Sequence, residues 1–280
     1  ESMTRAPFVI GKSETAFDRS SEMFDTTMGW RFINKNLSAL HYPFGMGETA
    51  ENVAKQWKIG REEQDEFAFN SQQKYAAAKA ANKWDDEIAA VELNNKGMIS
   101  WIVYDEHPRA TSLEKLGTLK PAFIKNGTVT AGNSSGINDG SAAMLLASEE
   151  AVKKYNLSPL AKVTSMAVAG VDPAIMGIGP VPATQKALQR AGLKINDIGM
   201  IELNEAFASQ SIACIRDLRL DSKKVNVNGG AIALGHPLGC SGVRIATTLL
   251  HEMQKEDVRY GLATMCVGVG QGAAVIFEKV

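Results

Sequence analysis

Residues 228–242 read NGGAIALGHPLGCSG, and residues 264–272 read TMCVGVGQG. Each run places one side chain that can transfer protons, His236 or Cys266, among several glycines. Because glycine has no Cβ, it lets the backbone approach a ligand closely and turn N–H groups toward it. An imidazole and a thiol presented in this way favour acyl-transfer chemistry that passes through an oxyanion.

The apolar stretches around these two runs alternate between strand and helix patterns. The predicted strands span 161–169, 198–203, 225–228, 261–267 and 272–278, and the predicted helices span 182–191, 205–218 and 241–254. This βαβαβαββ order indicates a layered α/β unit with a largely parallel sheet, because helices supply the crossovers that parallel strands require. The last two strands are expected to join through the tight glycine-rich turn that follows Cys266.

The first half of the chain does not repeat this unit. Residues 62–82 predict a long amphipathic helix, and irregular stretches at 34–47 and 106–121 surround it. A strand at 142–147 and a helix at 149–155 predict one piece of a second sheet, so this first half-sheet is expected to be incomplete. The predicted domains are parts of an N-terminal core domain at 1–7 and 139–160, an elaborated insertion (loop) domain at 8–138, and a C-terminal domain at 161–280.

The composition excludes several classes of function. The chain has 30 Lys and Arg against 31 Asp and Glu, so nothing favours binding to nucleic acid or to a membrane surface. No apolar run approaches the length of a membrane span, and no signal peptide is expected. The 3 cysteines lack CxxC spacing, which argues against a disulfide framework or a metal site. A reducing, cytoplasmic location is the expectation.

Each candidate residue also has a purely structural interpretation. A single loop histidine is commonly satisfied by nearby backbone groups, but the glycines around His236 and the presence of Cys266 favour a catalytic role. Cys266 is predicted at the end of a strand, where α/β sheets place their ligands. Cys214 lies in a predicted helix beside two isoleucines, so we interpret it, and also Cys240, as small apolar residues.

Asn204 follows a short apolar strand and precedes a predicted helix. It is interpreted as a helix N-cap, as a donor that positions a water in an oxyanion site, or as both. Glu205 is interpreted either as a first-turn acid or as a local orienting group.

A dinucleotide-binding site is disfavoured. GxG pairs occur at 45–47 and 268–270, but a lone pair is weak evidence. The second pair precedes a strand and leaves no room for a βαβ unit with an acidic ribose ligand.

Three further runs carry a family resemblance. Residues 48–54 read ETAENVA, residues 127–140 read GTVTAGNSSGINDG, and residues 204–207 read NEAF. Together with ESM at 1–3 and the two glycine-rich runs, they resemble the thiolase family along essentially the whole chain. The resemblance implies a thiolase-like layered fold and acyl transfer, with acyl-CoA and coenzyme A as substrates. It implies no metal and no redox cofactor, and it implies a homodimer or homotetramer.

The resemblance also implies roles for individual residues. His236 resembles the base that activates a nucleophilic cysteine, and Cys266 resembles the acid/base at the leaving thiolate or at the α-carbon of acetyl-CoA. Asn204 and His236 resemble the members of one oxyanion hole, and the N–H of Gly268 resembles half of a second. The residues that resemble binding contacts are Ser135, Phe207 and Met46, along the pantetheine and acyl channel, and Arg109, at the adenine-phosphate end of coenzyme A.

One part of the family's site has no match in the sequence. The nucleophilic cysteine of thiolases lies before the ESM motif, and none of the three cysteines here matches its motif. The expectation is therefore the larger piece of a split or truncated thiolase, active only with a complementary N-terminal segment that carries the nucleophile.

The substrate is predicted from local differences within the family. Acetoacetyl-specific members place a histidine before the methionine of the MGxTA motif, and here Gly45 occupies that position. The runs at 5–9, 23–27 and 30–32 resemble members that cleave 3-oxoadipyl-CoA with coenzyme A to acetyl-CoA and a shortened acyl-CoA, or catalyse the reverse condensation. The alternatives are a general 3-ketoacyl-CoA thiolase, an acetoacetyl-CoA thiolase, a non-catalytic acyl-CoA-binding protein and a scaffold subunit.

Overall fold

The computed structural model describes all 280 residues. Its strands are β1 Phe8–Ile10, β2 Met23–Asp25, β3 Val91–Asn95, β4 Met98–Ile102, β5 Ala161–Gly170, β6 Met200–Leu203, β7 Tyr260–Val267 and β8 Gln271–Lys279. Its α-helices are α1 Lys35–Leu40, α2 Met46–Gln56, α3 Arg61–Ala80, α4 Leu113–Gly117, α5 Glu149–Tyr155, α6 Pro180–Ala191, α7 Ala208–Leu218, α8 Ala231–Leu234 and α9 Leu238–Lys255. None of these helices combines the length and the apolar character that crossing a bilayer requires.

A four-stranded sheet organises the C-terminal half, in the order β5-β8-β7-β6. β6 runs parallel to β7, whereas β8 is antiparallel to both of its neighbours. The sheet is therefore mixed, which differs from the largely parallel sheet that the sequence predicts. The difference arises because β7 and β8 form a hairpin, whose strands must be antiparallel, and β5 then pairs with β8.

Helices cover the two faces of this sheet. The alternation of side chains along β6 sends Ile201 and Leu203 to one face and Met200 to the other. The first face forms an apolar core with α6 and α7, and the second packs against α9. The helices and strands predicted in this half, apart from 225–228, begin and end within three residues of their expected bounds.

The predicted strand at 225–228 does not form. Val225 makes a single parallel bridge to Ile201, and Asn226 then takes a left-handed φ of 46° that turns the chain away from β6. The Asn226 side chain replaces the missing strand, since it donates to Leu203 O and accepts from Leu203 N, each at 2.8 Å. An amide side chain has one donor and one acceptor side, so it can imitate a neighbouring backbone in this way.

The predicted strand at 142–147 is also absent, although the predicted helix at 149–155 is present as α5. A strand is stabilised by hydrogen bonds to a neighbouring strand, and no strand pairs with this segment. Leu145 and Leu146 are left 83% and 77% exposed. The assignment of 1–7, 8–138 and 139–160 to separate domains stays a prediction.

The first half contains more regular structure than the sequence predicts. The expected helix at 62–82 is present as α3, but the stretches expected to be irregular contain α1 and α4, and α2 begins at Met46. The start of α2 is stabilised locally, because the Glu48 carboxylate accepts a 2.7 Å hydrogen bond from Gly45 N. Two exposed hairpins, β1-β2 and β3-β4, complete this half.

One buried carboxylate joins α2 to the 127–140 run. Glu51 accepts hydrogen bonds from Thr128 N and Val129 N, both at 2.8 Å, and from Thr128 Oγ1 at 3.0 Å. Gly127 permits the approach, since a Cβ there would lie 2.1 Å from Glu51 Oε1. Through Glu51, the helix that begins at Met46 and the loop that carries Ser135 hold a fixed relative position.

We expect Glu51→Gln to lower the free energy of unfolding by about 2 kcal/mol, because hydrogen bonds to an ionised acceptor are lost while the side-chain volume is kept. Urea denaturation followed by circular dichroism measures the change. Glu62→Gln on the exposed side of α3 is the matched control and should shift the free energy by less than about 0.5 kcal/mol. Equal stability of the two variants would contradict the role given to Glu51.

Candidate active site

The parallel pairing of β6 with β7 brings two candidate residues to one edge of the sheet. Leu203 lies opposite Thr264, and the next residue, Asn204, donates its backbone N–H to Thr264 O at 3.0 Å. Cys266 lies two residues further along β7. Asn204 and Cys266 therefore lie at the carboxyl ends of adjacent strands, which is where α/β proteins form ligand sites.

His236 is held at both ring nitrogens. Its Nδ1 lies 2.7 Å from Ser241 Oγ, and its Nε2 lies 3.3 Å from Asn204 Nδ2. The Ser241 hydroxyl donates to Pro237 O at 2.9 Å, so its oxygen is free to accept from Nδ1–H. In this tautomer Nδ1 carries the hydrogen and Nε2 is an acceptor. The side-chain N–H of Asn204 donates to Nε2.

The backbone around His236 explains how the ring reaches this position. Gly235 has a φ of 96°, and a Cβ on it would lie 2.3 Å from Asn138 Oδ1. Only glycine combines this φ with such a close approach at low cost. Pro237 is extended and caps α9, so His236 precedes the positive N-terminal end of that helix, as the sequence predicts.

The environment of His236 keeps its ring neutral. Burial and, to a smaller extent, the positive charge of Arg244 lower the pKa of His236 to about 4. The carboxylate of Glu1 acts weakly in the opposite direction on this pKa. At neutral pH the imidazole is therefore unprotonated and can accept a proton at Nε2.

Cys266 lies in a buried, apolar setting. Its side chain is 4% exposed, and burial raises the pKa of its thiol to about 12. Cys266 therefore carries its proton at neutral pH and is a proton donor rather than a resting thiolate. The apolar residues that pack with it are Met46, Ala50, Val129, Met176, Ala206 and Phe207.

The turn between β7 and β8 lies beside this apolar group. A Cβ on Gly268 would lie 4.0 Å from Met46 Sδ. Val269 has a φ of 66°, which is unusual for a β-branched residue, and Gly270 follows with a φ of 84°. Gly270 packs against the next loop, where its carbonyl accepts from Val171 N at 2.8 Å.

The predicted binding residues divide into two groups. Met46 and Phe207 pack with Cys266, and Ser135 adjoins them because its N–H and Oγ both bond to Ala206 O, at 3.0 and 3.1 Å. Arg109 does not join this group. It is exposed on a loop beside α3, where its backbone N–H donates to Gln72 Oε1 at 3.2 Å.

The interpretation of Asn204 as an N-cap is wrong, because α7 begins only at Ala208 and Phe207 precedes it without a side-chain cap. Glu205 is likewise outside the helix and orients its neighbours. Its carboxylate accepts from Asn226 Nδ2 at 2.8 Å, Ser71 Oγ at 2.7 Å and Ile232 N at 3.2 Å. The predicted helix at 205–218 is present as α7 but begins three residues later, because the Glu205 side chain is committed to these tertiary hydrogen bonds.

Sequence reasoning missed Ser241 as the partner of His236 Nδ1. The available signal was its position one helical turn after Pro237, which points its hydroxyl back toward the loop. The buried pair of Glu202 and Arg244 was missed as well, with side chains 3% and 19% exposed and Arg244 Nη1 3.6 Å from Glu202 Oε2. A charge inside a short apolar strand was the signal for it.

Several alternative sites are excluded by the geometry. No group of three or more His, Cys, Asp and Glu side chains is arranged to hold a metal ion. Residues 132–136 have the GxSxG form of a serine-hydrolase elbow, but Ser134 Oγ is buried and donates to Thr130 O at 2.7 Å. Cys214 is fully buried in the core, and burial raises its pKa and that of Cys240.

Family models and curated relatives match the chain along its whole length. The thiolase N-terminal domain matches residues 1–150, and the thiolase C-terminal domain matches residues 157–279. The 3-oxoadipyl-CoA/3-oxo-5,6-dehydrosuberyl-CoA thiolase of Escherichia coli K12 is 54% identical over 100% of this chain and 71% of its own length. The beta-ketoadipyl-CoA thiolase of Pseudomonas putida is 53% identical, with the same coverage. The acetyl-CoA acetyltransferase of Escherichia coli K12 is 49% identical over 100% of this chain and 70% of its own length.

Solved structures match the fold. The acetyl-CoA acetyltransferase of Bacillus anthracis superposes with a TM-score of 0.91 at 42% identity, over 100% of this chain and 70% of that one. Human mitochondrial 3-ketoacyl-CoA thiolase superposes with a TM-score of 0.88 at 44% identity, over 99% and 69% respectively. These matches confirm the predicted layered α/β fold class, and the chain belongs to the thiolase family of acyltransferases.

Proposed function

We propose that this chain carries the proton-transfer half of a thiolase site and cleaves 3-oxoacyl-CoA with coenzyme A. The observation that carries the proposal is His236, a neutral imidazole fixed between Asn204 and Ser241 at the same sheet edge as the buried Cys266 thiol. A neutral base and a protonated thiol are the two proton carriers that the reaction needs.

The first half-reaction forms an acyl-enzyme. His236 Nε2 takes the proton of a nucleophilic cysteine, whose sulfur attacks the 3-keto carbon of the substrate. The bond between C2 and C3 then breaks, its electron pair stays on C2, and Cys266 Sγ donates its proton there. Acetyl-CoA leaves, and the shortened acyl group remains on the nucleophile as a thioester.

The second half-reaction releases the acyl group. The Cys266 thiolate takes the thiol proton of coenzyme A, whose sulfur attacks the thioester carbonyl. The nucleophile departs and recovers its proton from His236, which restores both resting states.

Two groups are proposed to stabilise the oxyanions of these steps. The Asn204 side chain supports such a role, because its Oδ1 is buried without a protein donor and can hold a water. The Gly268 N–H is our candidate for the second oxyanion hole.

The nucleophile itself is proposed to lie outside these 280 residues, on the same polypeptide or on another. Cys266 is assigned to proton transfer, Cys214 is sealed in the core, and burial raises the pKa of Cys240. A low pKa is the usual mark of a nucleophilic cysteine, and none of the three has it. Met166 and Val168 of the outer strand β5 are 64% and 68% exposed, so a further segment would also have apolar surface to cover.

The proposed substrate is 3-oxoadipyl-CoA. The support is sequence identity. Relatives named as 3-oxoadipyl-CoA or beta-ketoadipyl-CoA thiolases are 52–54% identical to this chain, whereas an acetyl-CoA acetyltransferase is 49% identical. Ser135, Phe207 and Met46 are proposed to line the pantetheine and acyl channel. The exposed Arg109 is proposed to meet the phosphate end of coenzyme A. A cytoplasmic location is proposed with it, consistent with three free cysteines.

In the complete enzyme, we expect His236→Ala to slow thiolysis by about 10²- to 10⁴-fold, since the base for the nucleophile is lost. Cys266→Ala should still permit acylation by acetyl-CoA but slow deuterium exchange at its α-carbon to a similar degree. Steady-state assays and mass spectrometry measure both effects. His251→Gln on α9 is the control and should keep full activity; wild-type rates in either active-site variant would remove that residue from its role.

The origin of the nucleophile is tested by intact mass. After incubation with 3-oxoadipyl-CoA, this chain alone should carry no acyl adduct, because its three thiols are protonated and buried. Addition of a cysteine-bearing N-terminal segment from a relative should place the adduct on that segment. An adduct on Cys240 or Cys266 would refute the proposal.

The substrate is tested with matched acyl groups. We expect kcat/KM for 3-oxoadipyl-CoA to exceed that for 3-oxohexanoyl-CoA by about tenfold or more, because the two differ only at the terminal carboxylate. Acetoacetyl-CoA is the second comparison. A higher kcat/KM for acetoacetyl-CoA would assign the chain to the acetyl-CoA acetyltransferases instead.

A further inference from the structure

The two hydrogen-bond partners of His236 come from different elements. Asn204 directly follows β6, and Ser241 lies in the first turns of α9. The distance between these elements therefore decides whether Nε2 and Nδ1 are both satisfied. The 2.7 Å and 3.3 Å contacts can coexist only while α9 keeps its present position on the sheet.

One pair of ionisable side chains, Glu202 and Arg244, joins the same two elements close to the ring. Glu202 is two residues before Asn204, or about 7 Å along the strand. Arg244 is three residues after Ser241, or about 4.5 Å along the helix. Glu202 lies on the face of β6 that packs against α9, and its Oε2 is 3.6 Å from Arg244 Nη1.

We propose that Arg244, seated against Glu202, is a positioning residue that holds α9 on β6 and thereby keeps His236 between Asn204 and Ser241. The pair thus acts on the reaction through the imidazole and does not itself touch substrate. The predicted effect on kcat rests on the function proposed above.

The burial of the pair supports a role beyond stability. Arg244 Nη1 and Nη2 and Glu202 Oε2 are buried and have no protein hydrogen-bond partner at normal length. Apolar residues of similar volume would commonly fill such a position at equal or lower free energy. The charge is therefore retained at a cost in stability, at a position one helical turn from Ser241.

The surroundings of Arg244 leave its charge only partly compensated. Three carboxyl groups face it: Glu202 from β6, Glu87 from the segment after α3, and Asp105 from the segment after β4. Burial raises the pKa of Glu202 to about 8 and the pKa of Glu87 to about 7, and Glu87 accepts from Thr248 Oγ1 at 2.9 Å. Near neutral pH the guanidinium stays ionised while the two glutamates are close to their own pKa values, so its field favours the neutral form of His236.

The test measures the titration of His236 and the kinetics of the complete enzyme in parallel. Arg244→Gln should raise the pKa of His236 above about 4, because one of the two causes of the lowered pKa is removed while burial remains; NMR of the labelled imidazole measures the shift. It should lower kcat about 10- to 100-fold, because a small displacement of a catalytic group has effects of this size, with little change in KM for coenzyme A. Arg259→Gln removes a different ion pair, between the residue that precedes β7 and Glu278 on β8, and should change neither quantity.

Two milder variants keep the question open if Arg244→Gln does not fold. Arg244→Lys retains the positive charge but not the planar guanidinium group, so it should keep the low pKa of His236 and recover only part of kcat. Glu202→Gln should also leave that pKa low and lower kcat about tenfold or less. Full kcat in both, or a fall in kcat with an unchanged titration of His236 in Arg244→Gln, would overturn the proposal. The titration needs no turnover, so failure of the proposed thiolysis and failure of this inference are distinguishable.

Discussion

The site depends on the parallel pairing of β6 with β7. Parallel strands end at the same edge of a sheet, so this one pairing places Asn204 and Cys266 side by side although 61 positions separate them in the sequence. His236 arrives from a separate loop and has no strand to hold it. It is fixed only because Asn204, at that edge, and Ser241, on the helix packed behind it, approach its ring from two directions.

This arrangement requires many buried polar groups, and nearly all of them are matched. Glu205 alone accepts hydrogen bonds from three separate segments of the chain, and Asn226 completes the unpaired side of β6. An unsatisfied buried polar group costs about 1–3 kcal/mol, so such networks specify one arrangement of the loops rather than adding net stability. Among the unmatched atoms are Asn204 Oδ1, on a side chain bonded to the imidazole, and Glu202 Oε2 with Arg244 Nη1 and Nη2. Other unmatched atoms, such as Gln64 Oε1, Trp84 Nε1 and Thr164 Oγ1, belong to other parts of the chain.

The sequence predicts those parts of the molecule that local pattern determines. The strands β5, β7 and β8, the helices α3, α6 and α9, and the glycine-rich setting of His236 and Cys266 all follow from periodicity and glycine spacing. The failures occur where tertiary contacts override local preference. The strand predicted at 225–228 stops at Asn226, whose side chain bonds to the backbone of β6 in place of a neighbouring strand. The segment at 142–147 has the composition of a strand but no strand to pair with. Partners such as Ser241 and Arg244 lie on an ordinary amphipathic helix, and only the packed structure relates them to His236.

The left-handed Val269 has a consequence for how the site tolerates change. A β-branched residue in this region stores roughly 1–3 kcal/mol, which the hairpin and the Gly270 contact to the next loop must offset. Lengthening or softening the hairpin would release that energy and let the amide of Gly268 drift. On the oxyanion role proposed for Gly268, changes here that relieve the strain would raise thermostability and lower turnover, and a directed-evolution experiment selecting only for heat resistance would be drawn toward them.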